Sequence, residues 1–502
     1  MLDVLAAAGA FRAPHIDYAA LAPEIVLTSV LVVILLADLV VDETRKYVVT
    51  QLAAVGVLAT LVAIVALAVD GTDRSMFDGA YVVDNFALLL KGAFLVMGYV
   101  VLLMSTNYIE DGEYYEGEFS FLLLSSLLGM VVMSSSRDLI SIFVALELLS
   151  IPAYMMAGWR KRDLKSNEAA LKYYLLGVLA SAVMLYGMSL VFGATGSTLL
   201  TEIGRQVSGS VGDQPIVTLG IFLIVVGFAF KISAVPFHFW APDTYEGAPT
   251  PVTAFLSVAS KTAGFVALLE LIYVGFLGRA DVWGPLFWVL AALTMTVGNL
   301  IALRQTNIVR LLAYSSVAQA GYILVPFAVA GDSARAIGTA QTATIVYLLI
   351  YAAMNLGAFA VIIAVARKTR SGEISSYGGM FSYAPGLTVL MTVFMFSLAG
   401  IPPFGGWFAK LYIFRAALDA GTPAAVILAV VAGVNSVIAL FYYSSIAREM
   451  WMRPAPDDDR SPIRVPAPLA AALGLTAAIV MAIGVYPQAF ARLGDLANLA
   501  VK

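Results

Sequence analysis

The chain has 502 residues, of which 61% are hydrophobic and only 12% are charged. Soluble domains carry about 25% charged residues, so these charges are too few to cover a soluble globule of this size. The net charge of −4 and the absence of a basic patch with interleaved aromatic residues also exclude a nucleic-acid-binding protein.

Hydrophobic segments follow one another along nearly the whole chain, and most approach or exceed the roughly 20 residues that cross a bilayer as a helix. They predict an all-α polytopic protein, with about 14 transmembrane helices embedded in the lipid bilayer. In chain order the predicted spans are 20–41, 47–69, 85–106, 119–136, 139–159, 168–194, 216–239, 250–277, 284–303, 307–330, 336–366, 386–417, 424–447 and 468–490.

Lys and Arg are more frequent in one alternating set of loops than on the opposite side, to which both termini belong. The richer set includes residues 160–165 and 367–370. Because positively charged loops stay in the cytoplasm, both termini are predicted on the outer side of the membrane. No short apolar region with a small-residue cleavage site precedes the first span, so Met1 is expected to begin the mature chain.

Five lysines and one mid-span glutamate stand out within the predicted spans, where each ionised side chain costs roughly 3 kcal/mol at a helix centre. Together they would cost on the order of 15–20 kcal/mol, more than the net stability of a typical protein. They therefore require an interior that is hydrated or mutually paired. These residues are Glu147, Lys91, Lys172, Lys231, Lys261 and Lys410.

All of these cations are lysine and none is arginine. Arginine does not deprotonate in proteins, whereas a buried lysine can, so the bias favours proton carriers over structural cations. Two of them have another reading: Lys91 and Lys172 lie near the starts of their spans and could instead snorkel to the headgroups or form structural pairs. Glu270, near the end of its span, is expected at the membrane interface.

A repeat is visible where residues 230–236 (FKISAVP) align with residues 396–402 (FSLAGIP). Each stretch carries a mid-span proline, which removes a backbone hydrogen bond and breaks the helix. Paired broken helices are typical of inverted-repeat transporters, whose ion sites lie at the breaks. Two inverted repeats of about five helices are therefore predicted. The predicted parts are a three-helix segment (1–118), a first repeat (119–277), a second repeat (284–447) and a loop with a C-terminal helix (448–502).

The chain has no cysteine and only two histidines, His15 and His238. Iron–sulfur clusters need thiolate ligands, and haem commonly needs a pair of ligands. No redox centre is therefore expected in this chain, and any redox coupling must come from partners.

Residues 230–261, FKISAVPFHFWAPDTYEGAPTPVTAFLSVASK, closely resemble the subunit N family of bacterial proton-pumping NADH-quinone oxidoreductase, respiratory complex I. The stretches FVALELLSIPAYMM, NEAALKYYLLG, NIVRLLAYSSVAQAGY and LAGIPPFGGWFAK are similar to the same family in the same order, so the resemblance covers all the spans. Subunits L and M and the Mrp antiporter subunits share the PTPV core. The lysine at position 410 argues against subunit M, and no long amphipathic extension after Pro487 argues against subunit L.

The resemblance implies roles for the buried charges. Glu147 and Lys172 are expected to form the pair on the fifth and sixth helices whose association gates the site. Lys231 is the implied central proton carrier on the broken seventh helix. Lys261 and His238 are the implied relay positions, and the outlet on the broken twelfth helix is Lys410.

The resemblance also implies an assembly. No cofactor is expected in this chain, because the family places FMN, the iron–sulfur clusters and quinone in partner subunits. The implied neighbours are subunit M-type and subunit K-type membrane subunits of complex I, in the inner (plasma) membrane of a bacterium.

Two alternatives remain open at this stage. A cation/proton antiporter subunit of the Mrp type predicts sodium transport by the isolated chain and carboxylates at the key positions, whereas lysine cannot coordinate Na⁺. A structural scaffold with a vestigial channel would not need the five buried lysines.

Overall fold

The computed structural model describes residues 16–42, 45–112, 116–330, 333–456 and 459–499, and these residues are helical apart from their loops and one short hairpin. Eleven of the described helices are long and apolar enough to cross a membrane. Three shorter apolar helices account for the remaining predicted spans. The predicted all-α polytopic fold is confirmed. His15 and the two ends of the chain, on which part of the predicted orientation depends, lie outside the described residues.

The first part of the chain forms eight helices and the hairpin, named here in chain order. They are α1 (Ala22–Val40), α2 (Tyr47–Asp70), β1 (Arg74–Met76), β2 (Tyr81–Val83), α3 (Asn85–Asp111), α4 (Glu116–Met133), α5 (Leu139–Ala157), α6 (Leu164–Thr195), α7 (Leu200–Val207) and α8 (Pro215–Lys231). The antiparallel hairpin pairs Arg74 with Val83 and Met76 with Tyr81.

The second part continues with ten helices. They are α9 (Trp240–Gly247), α10 (Thr250–Gly275, which includes two π-helical turns), α11 (Ala280–Ala302), α12 (Ile308–Val329), α13 (Ala334–Thr369), α14 (Pro385–Ala399), α15 (Gly405–Ala420), α16 (Pro423–Met452), α17 (Ala467–Val485) and α18 (Pro487–Leu496).

Side chains at the helix starts explain several of these boundaries. The Asp138 carboxylate accepts from two backbone amides of the first turn of α5, and Asn307 does the same for α12. Asp163 caps α6 in the same way. These side chains satisfy amides that have no partner inside the helix, which fixes the start of each helix in the lipid environment.

The core of the protein lies along α10 and α13, whose apolar windows are almost completely buried, whereas α1, α2, α6 and α16 expose rows of large aliphatic residues. Around the core, α6 packs on α8, α11 on α12, and α13 on α15. Exposed aliphatic rows suit a lipid-facing surface, since lipid tails are as apolar as the side chains. The buried helices α10, α12 and α13 are therefore the ones that can hold polar groups away from lipid.

Both predicted helix breaks are present. Helix α8 ends at Lys231, and the chain runs through Ser233, at φ 59°, and Pro236 before α9 begins. Helix α14 ends at Ala399 and is followed by Gly400, at φ 87°. The inverted relation of the two halves and the four domain limits stay predictions.

Candidate functional site

Lys231 is the last residue of α8, and its side chain lies inside the protein. The residue is 3% exposed, and its ammonium donates a hydrogen bond of 2.7 Å to the Ser150 hydroxyl of α5. Ser150 lies one turn after Glu147 on the same helix, and Glu147 interacts electrostatically with Lys231. The structure therefore places Lys231 near the half-buried glutamate.

The expected direct pair of Glu147 and Lys172 is corrected by the structure. Glu147 accepts a hydrogen bond of 2.6 Å from Ser181, whereas Lys172 forms 2.7 Å ion pairs with Glu168 and Asp243. The reason is the depth of the two residues: Lys172 precedes Ser181 by nine residues of α6, about 14 Å along a helix axis. Lys172 belongs to the loop end of α6, and its side chain is 41% exposed.

A small cavity lies between α5, α6 and the end of α8, next to Lys231. It has a volume of about 10 Å³ and is lined by Ser150, Tyr154, Ser181 and Lys231, among others. A space of this size holds about one water molecule when polar groups surround it. A single water here can join the lysine to the hydroxyl that binds Glu147.

Lys261 lies in the middle of α10, directly after a π-helical turn at Leu256–Ser260. Its ammonium donates to the backbone carbonyl of Ser316 at 3.0 Å and to the Ser316 hydroxyl. The ammonium also lies 5.8 Å from the centre of the Tyr245 ring. These contacts are to neutral groups, so Lys261 has no carboxylate partner in its immediate shell.

Buried hydroxyl groups surround the two lysines of the first half. Those of Tyr173, Ser233, Tyr245 and Ser260 are buried and form no hydrogen bond of good geometry among the described residues, although Tyr173 lies near Ser260 and Tyr245 near Ser233. Buried polar groups in native proteins are nearly always paired with protein or ordered water. The region around Lys231 and Lys261 is therefore suited to hold water molecules.

A chain of neutral polar contacts continues from Lys261 toward the second half. Ser315, next to Ser316 on α12, lies 2.5 Å from the Tyr443 hydroxyl of α16. The Gln319 side-chain amide donates to this hydroxyl and to the Leu398 carbonyl, each at 3.2 Å. Leu398 is next to the end of α14. The chain therefore connects the surroundings of Lys261 to the second helix break.

Lys410 completes this chain from the other side. It is 4% exposed, and its ammonium donates to the Ala399 carbonyl at 2.8 Å, a carbonyl freed by the end of α14. The same ammonium lies 4.7 Å from the centre of the Tyr322 ring. Gly400 permits this approach, since a Cβ at that position would lie 2.7 Å from Cδ of Lys410.

Sequence reasoning did not identify Ser315, Ser316, Gln319 or Tyr443. Ser315, Ser316 and Gln319 are polar residues within the α12 span, and that polarity was the available signal. Positions separated by three or four residues share a helix face, which puts Ser315 and Gln319 together.

His238 lies in the segment between α8 and α9 and is 4% exposed. Its ring is 4.7 Å from the Phe239 ring and 6.4 Å from the Tyr314 ring, and its Nδ1 atom has no hydrogen-bond partner in the structure. His238 interacts electrostatically with Lys261. Among the described residues it forms no direct hydrogen bond to another residue of the site, and its relay role stays a prediction.

A larger polar cavity opens at the loop end of the first half, with a volume of about 940 Å³. Its lining includes Tyr245 and Glu246 together with Arg160 of the loop before α6. Glu246 of this lining is also held by Arg310, which bridges Asp243 and Glu246 through 2.9 Å ion pairs. The cavity reaches the Tyr245 residue that faces Lys261.

The two residues with open assignments are both fully buried. Lys91 forms a 2.7 Å ion pair with Glu24, so it is a paired residue and does not snorkel. Glu270 is 0% exposed and is paired with Arg137, so other helices cover it, and its expected place at the membrane interface stays a prediction. The position of a charge near a span end does not reveal that other helices cover it.

Comparisons with known proteins agree with this architecture. The family model described as NADH:quinone oxidoreductase/Mrp antiporter, TM, matches residues 136–436. NADH-quinone oxidoreductase subunit N of Trichlorobacter lovleyi is 41% identical over 93% of this chain and 94% of its own length.

Two solved structures resemble the fold. A chain of respiratory complex I from Thermus thermophilus is 30% identical, with a TM-score of 0.77, over 94% of this chain and 99% of that chain. A chain of the Mrp complex from a Dietzia species has a TM-score of 0.81 over 96% of this chain and 97% of that chain. The Dietzia chain is only 22% identical, so it supports the fold alone.

Proposed function

This chain belongs to the family of NADH:quinone oxidoreductase and Mrp antiporter membrane subunits, and we propose that it moves protons across the membrane as a subunit of an NADH-quinone oxidoreductase. The observation that carries the proposal is the row of buried polar groups between Lys261, which binds Ser316, and the α14 end, which binds Lys410; Tyr443 and Gln319 lie between them. Two lysines that can exchange protons lie at its ends. Hydroxyl and amide groups between them can be hydrated or relay protons.

Glu147 controls the first lysine by its charge. A carboxylate and an ammonium about 6 Å apart interact by roughly 3 kcal/mol at an effective dielectric of about 20. When the carboxylate is near, Lys231 holds its proton more tightly; when it moves away or is neutralised, the lysine releases the proton more easily. Glu147 thus acts on Lys231, and Lys172 acts at the loop end through Asp243.

Protons enter through the loop-side cavity, which lies on the side that carries more Lys and Arg and is therefore cytoplasmic. The cavity leads past Tyr245 to Lys261, and the buried hydroxyls around Lys231 and Lys261 link the two lysines into one path. From there the polar chain leads to Lys410 beside the second helix break. When His238 is protonated, its positive charge repels the positive charge of Lys261 from the adjacent segment.

The energy comes from outside this chain. With no cysteine, the chain offers no thiolate for an iron–sulfur cluster. FMN, iron–sulfur clusters and quinone are accordingly assigned to partner subunits, and this chain to a non-redox role. It lies in the inner (plasma) membrane of a bacterium with both termini outside, between subunit M-type and subunit K-type neighbours.

Sodium/proton exchange of the Mrp type is the second candidate, and it fits less well. Three buried positions of the site, Lys231, Lys261 and Lys410, carry lysines, which repel Na⁺ and offer it no oxygen. The relative with the higher identity is named as an oxidoreductase subunit, whereas the Mrp chain supports the fold only.

The test is Lys231→Met in the assembled complex, with proton translocation followed in vesicles during NADH oxidation. We expect a lower ratio of protons moved to electrons transferred, because methionine fills the same space without a proton. The matched control is Lys161→Met, at an exposed loop lysine. A full ratio in Lys231→Met would remove Lys231 from the path.

A further inference from the structure

A second group of buried charges lies at the opposite end of α5 from the loop-side cavity. It joins the start of α1, the hairpin, the start of α3, the loop before α5 and α10. We name it the ionic cluster; its members are Glu24, Tyr81, Asp84, Lys91, Arg137 and Glu270.

One part of the ionic cluster is centred on Lys91. Its ammonium forms a 2.7 Å ion pair with Oε1 of Glu24 and donates to the Tyr81 hydroxyl at 3.1 Å. Tyr81 in turn donates to the same Glu24 oxygen at 2.5 Å. The three groups form a closed triangle that is buried between α1, the hairpin and α3.

The other part is centred on Arg137, which is 4% exposed. Its guanidinium donates to Oε1 of Glu270 and, at 3.2 Å, to Oδ2 of Asp84. Lys91 interacts electrostatically with Asp84 and Arg137, so the two parts of the ionic cluster are electrostatically coupled. Asp84 also caps α3, and its side chain is 24% exposed, which gives the cluster a contact with solvent.

The charges of the ionic cluster do not balance. Its ion pairs join three carboxylates, Glu24, Asp84 and Glu270, to two cations, Lys91 and Arg137. A fully buried charge without a counter-ion of its own is strongly disfavoured, and such a group binds a proton instead; Glu270 has to share Arg137 with the partly exposed Asp84. One proton makes the cluster neutral.

The position of the proton follows from burial and hydrogen bonding. Glu270 is 0% exposed, and its Oε2 atom has no hydrogen-bond partner in the structure. Oε2 of Glu24 is also unpaired, but Glu24 already receives two donors on Oε1. Asp138, the other carboxylate nearby in the chain, is committed to the first amides of α5.

We propose that the ionic cluster is a proton-binding site, separate from the lysine path, which holds one proton on Glu270 and exchanges it with solvent through Asp84. Glu270 follows Lys261 by nine residues on α10, about 14 Å along the helix axis. The site therefore lies on the same buried helix as the lysine path, toward the opposite face of the membrane from the loop-side cavity. This proposal rests on the burial and the charges of the ionic cluster, so it does not depend on whether the lysine path transports protons.

Infrared spectroscopy of the purified complex tests the site directly. In the wild type minus Glu270→Gln difference spectrum at neutral pH, we expect the C=O stretch of a protonated carboxyl group, shifted in D2O. In Glu24→Gln the cluster keeps two carboxylates and two cations, so it needs no proton. This variant is also expected to lose the band. Lys91→Met removes a cation, so a second carboxyl takes up a proton and the band should become about twice as strong.

The control is Glu202→Gln, which removes a carboxylate on the exposed helix α7 that pairs with Arg205. This variant should leave the band unchanged. If the band is absent from the wild type, or survives unchanged in both Glu270→Gln and Glu24→Gln, the cluster holds no proton and the proposal is wrong. Proton pumping does not enter this measurement, so its outcome is independent of Lys231→Met.

Discussion

The Lys231 ammonium lies 2.7 Å from the Ser150 hydroxyl, one helical turn from Glu147. This contact joins the end of a broken helix to the helix that carries the half-buried carboxylate. In the proposed path, Lys231 rather than Lys172 is the lysine whose proton affinity Glu147 controls.

Glu147→Gln tests that control. The amide keeps the size of the side chain but removes its charge, so Lys231 should lose a favourable interaction of roughly 3 kcal/mol. We expect a clear loss of proton translocation in vesicles. Ser181→Ala is the matched control: it removes the hydroxyl that binds Glu147 at 2.6 Å but leaves the charge, and its effect should be smaller. Equal effects of the two substitutions would argue that hydrogen bonding, and not charge, is what matters.

The polar chain between the lysines gives a second prediction. Gln319→Leu removes the amide that bridges Tyr443 and the Leu398 carbonyl, and Tyr443→Phe removes the hydroxyl beside Ser315. Each should slow proton translocation in vesicles severalfold while the complex still assembles. Because both residues belong to one chain, the double variant should be little worse than either single variant. Additive losses would mean that the two side chains act separately.

The sequence predicted best the location of the residues whose burial in a membrane costs the most free energy. A lysine in the middle of a span, such as Lys231 or Lys261, needs a polar interior, so its burial inside the protein followed from its position alone. Neutral residues such as Ser315 and Gln319 cost much less in a span, so their polarity alone was a weak signal. They became visible only when α12, α14 and α16 were brought together.

The pairing of charges was the part that the sequence did not determine. Glu147 and Lys172 lie on consecutive helices, but their depths differ by about two and a half turns of α6. The depth at which two antiparallel helices face each other depends on their loop and their packing, which composition does not reveal. For the same reason the ionic cluster was not predicted, since Glu24 and Glu270 are brought to their cations by helices far apart in sequence.

Gly400 gives a prediction about the second helix break. It has φ 87°, and a Cβ there would lie 2.7 Å from Cδ of Lys410. Gly400→Ala should destabilise the break by about 1–2 kcal/mol through the backbone alone and should also displace Lys410. The unfolding temperature and the rate of proton translocation should both decrease. Gly433→Ala, on α16 with no atom within 4 Å of the new Cβ, should leave both unchanged or slightly improved.

The most direct test of the lysine path is Lys261→Arg, with proton translocation per NADH oxidised measured in vesicles and compared with Lys261→Met. Arginine keeps the positive charge but does not release its proton, so a structural cation would tolerate it and a proton carrier would not. The path predicts that both variants lose translocation. Wild-type translocation in Lys261→Arg, with loss only in Lys261→Met, would show that the buried charge is structural and would contradict the path.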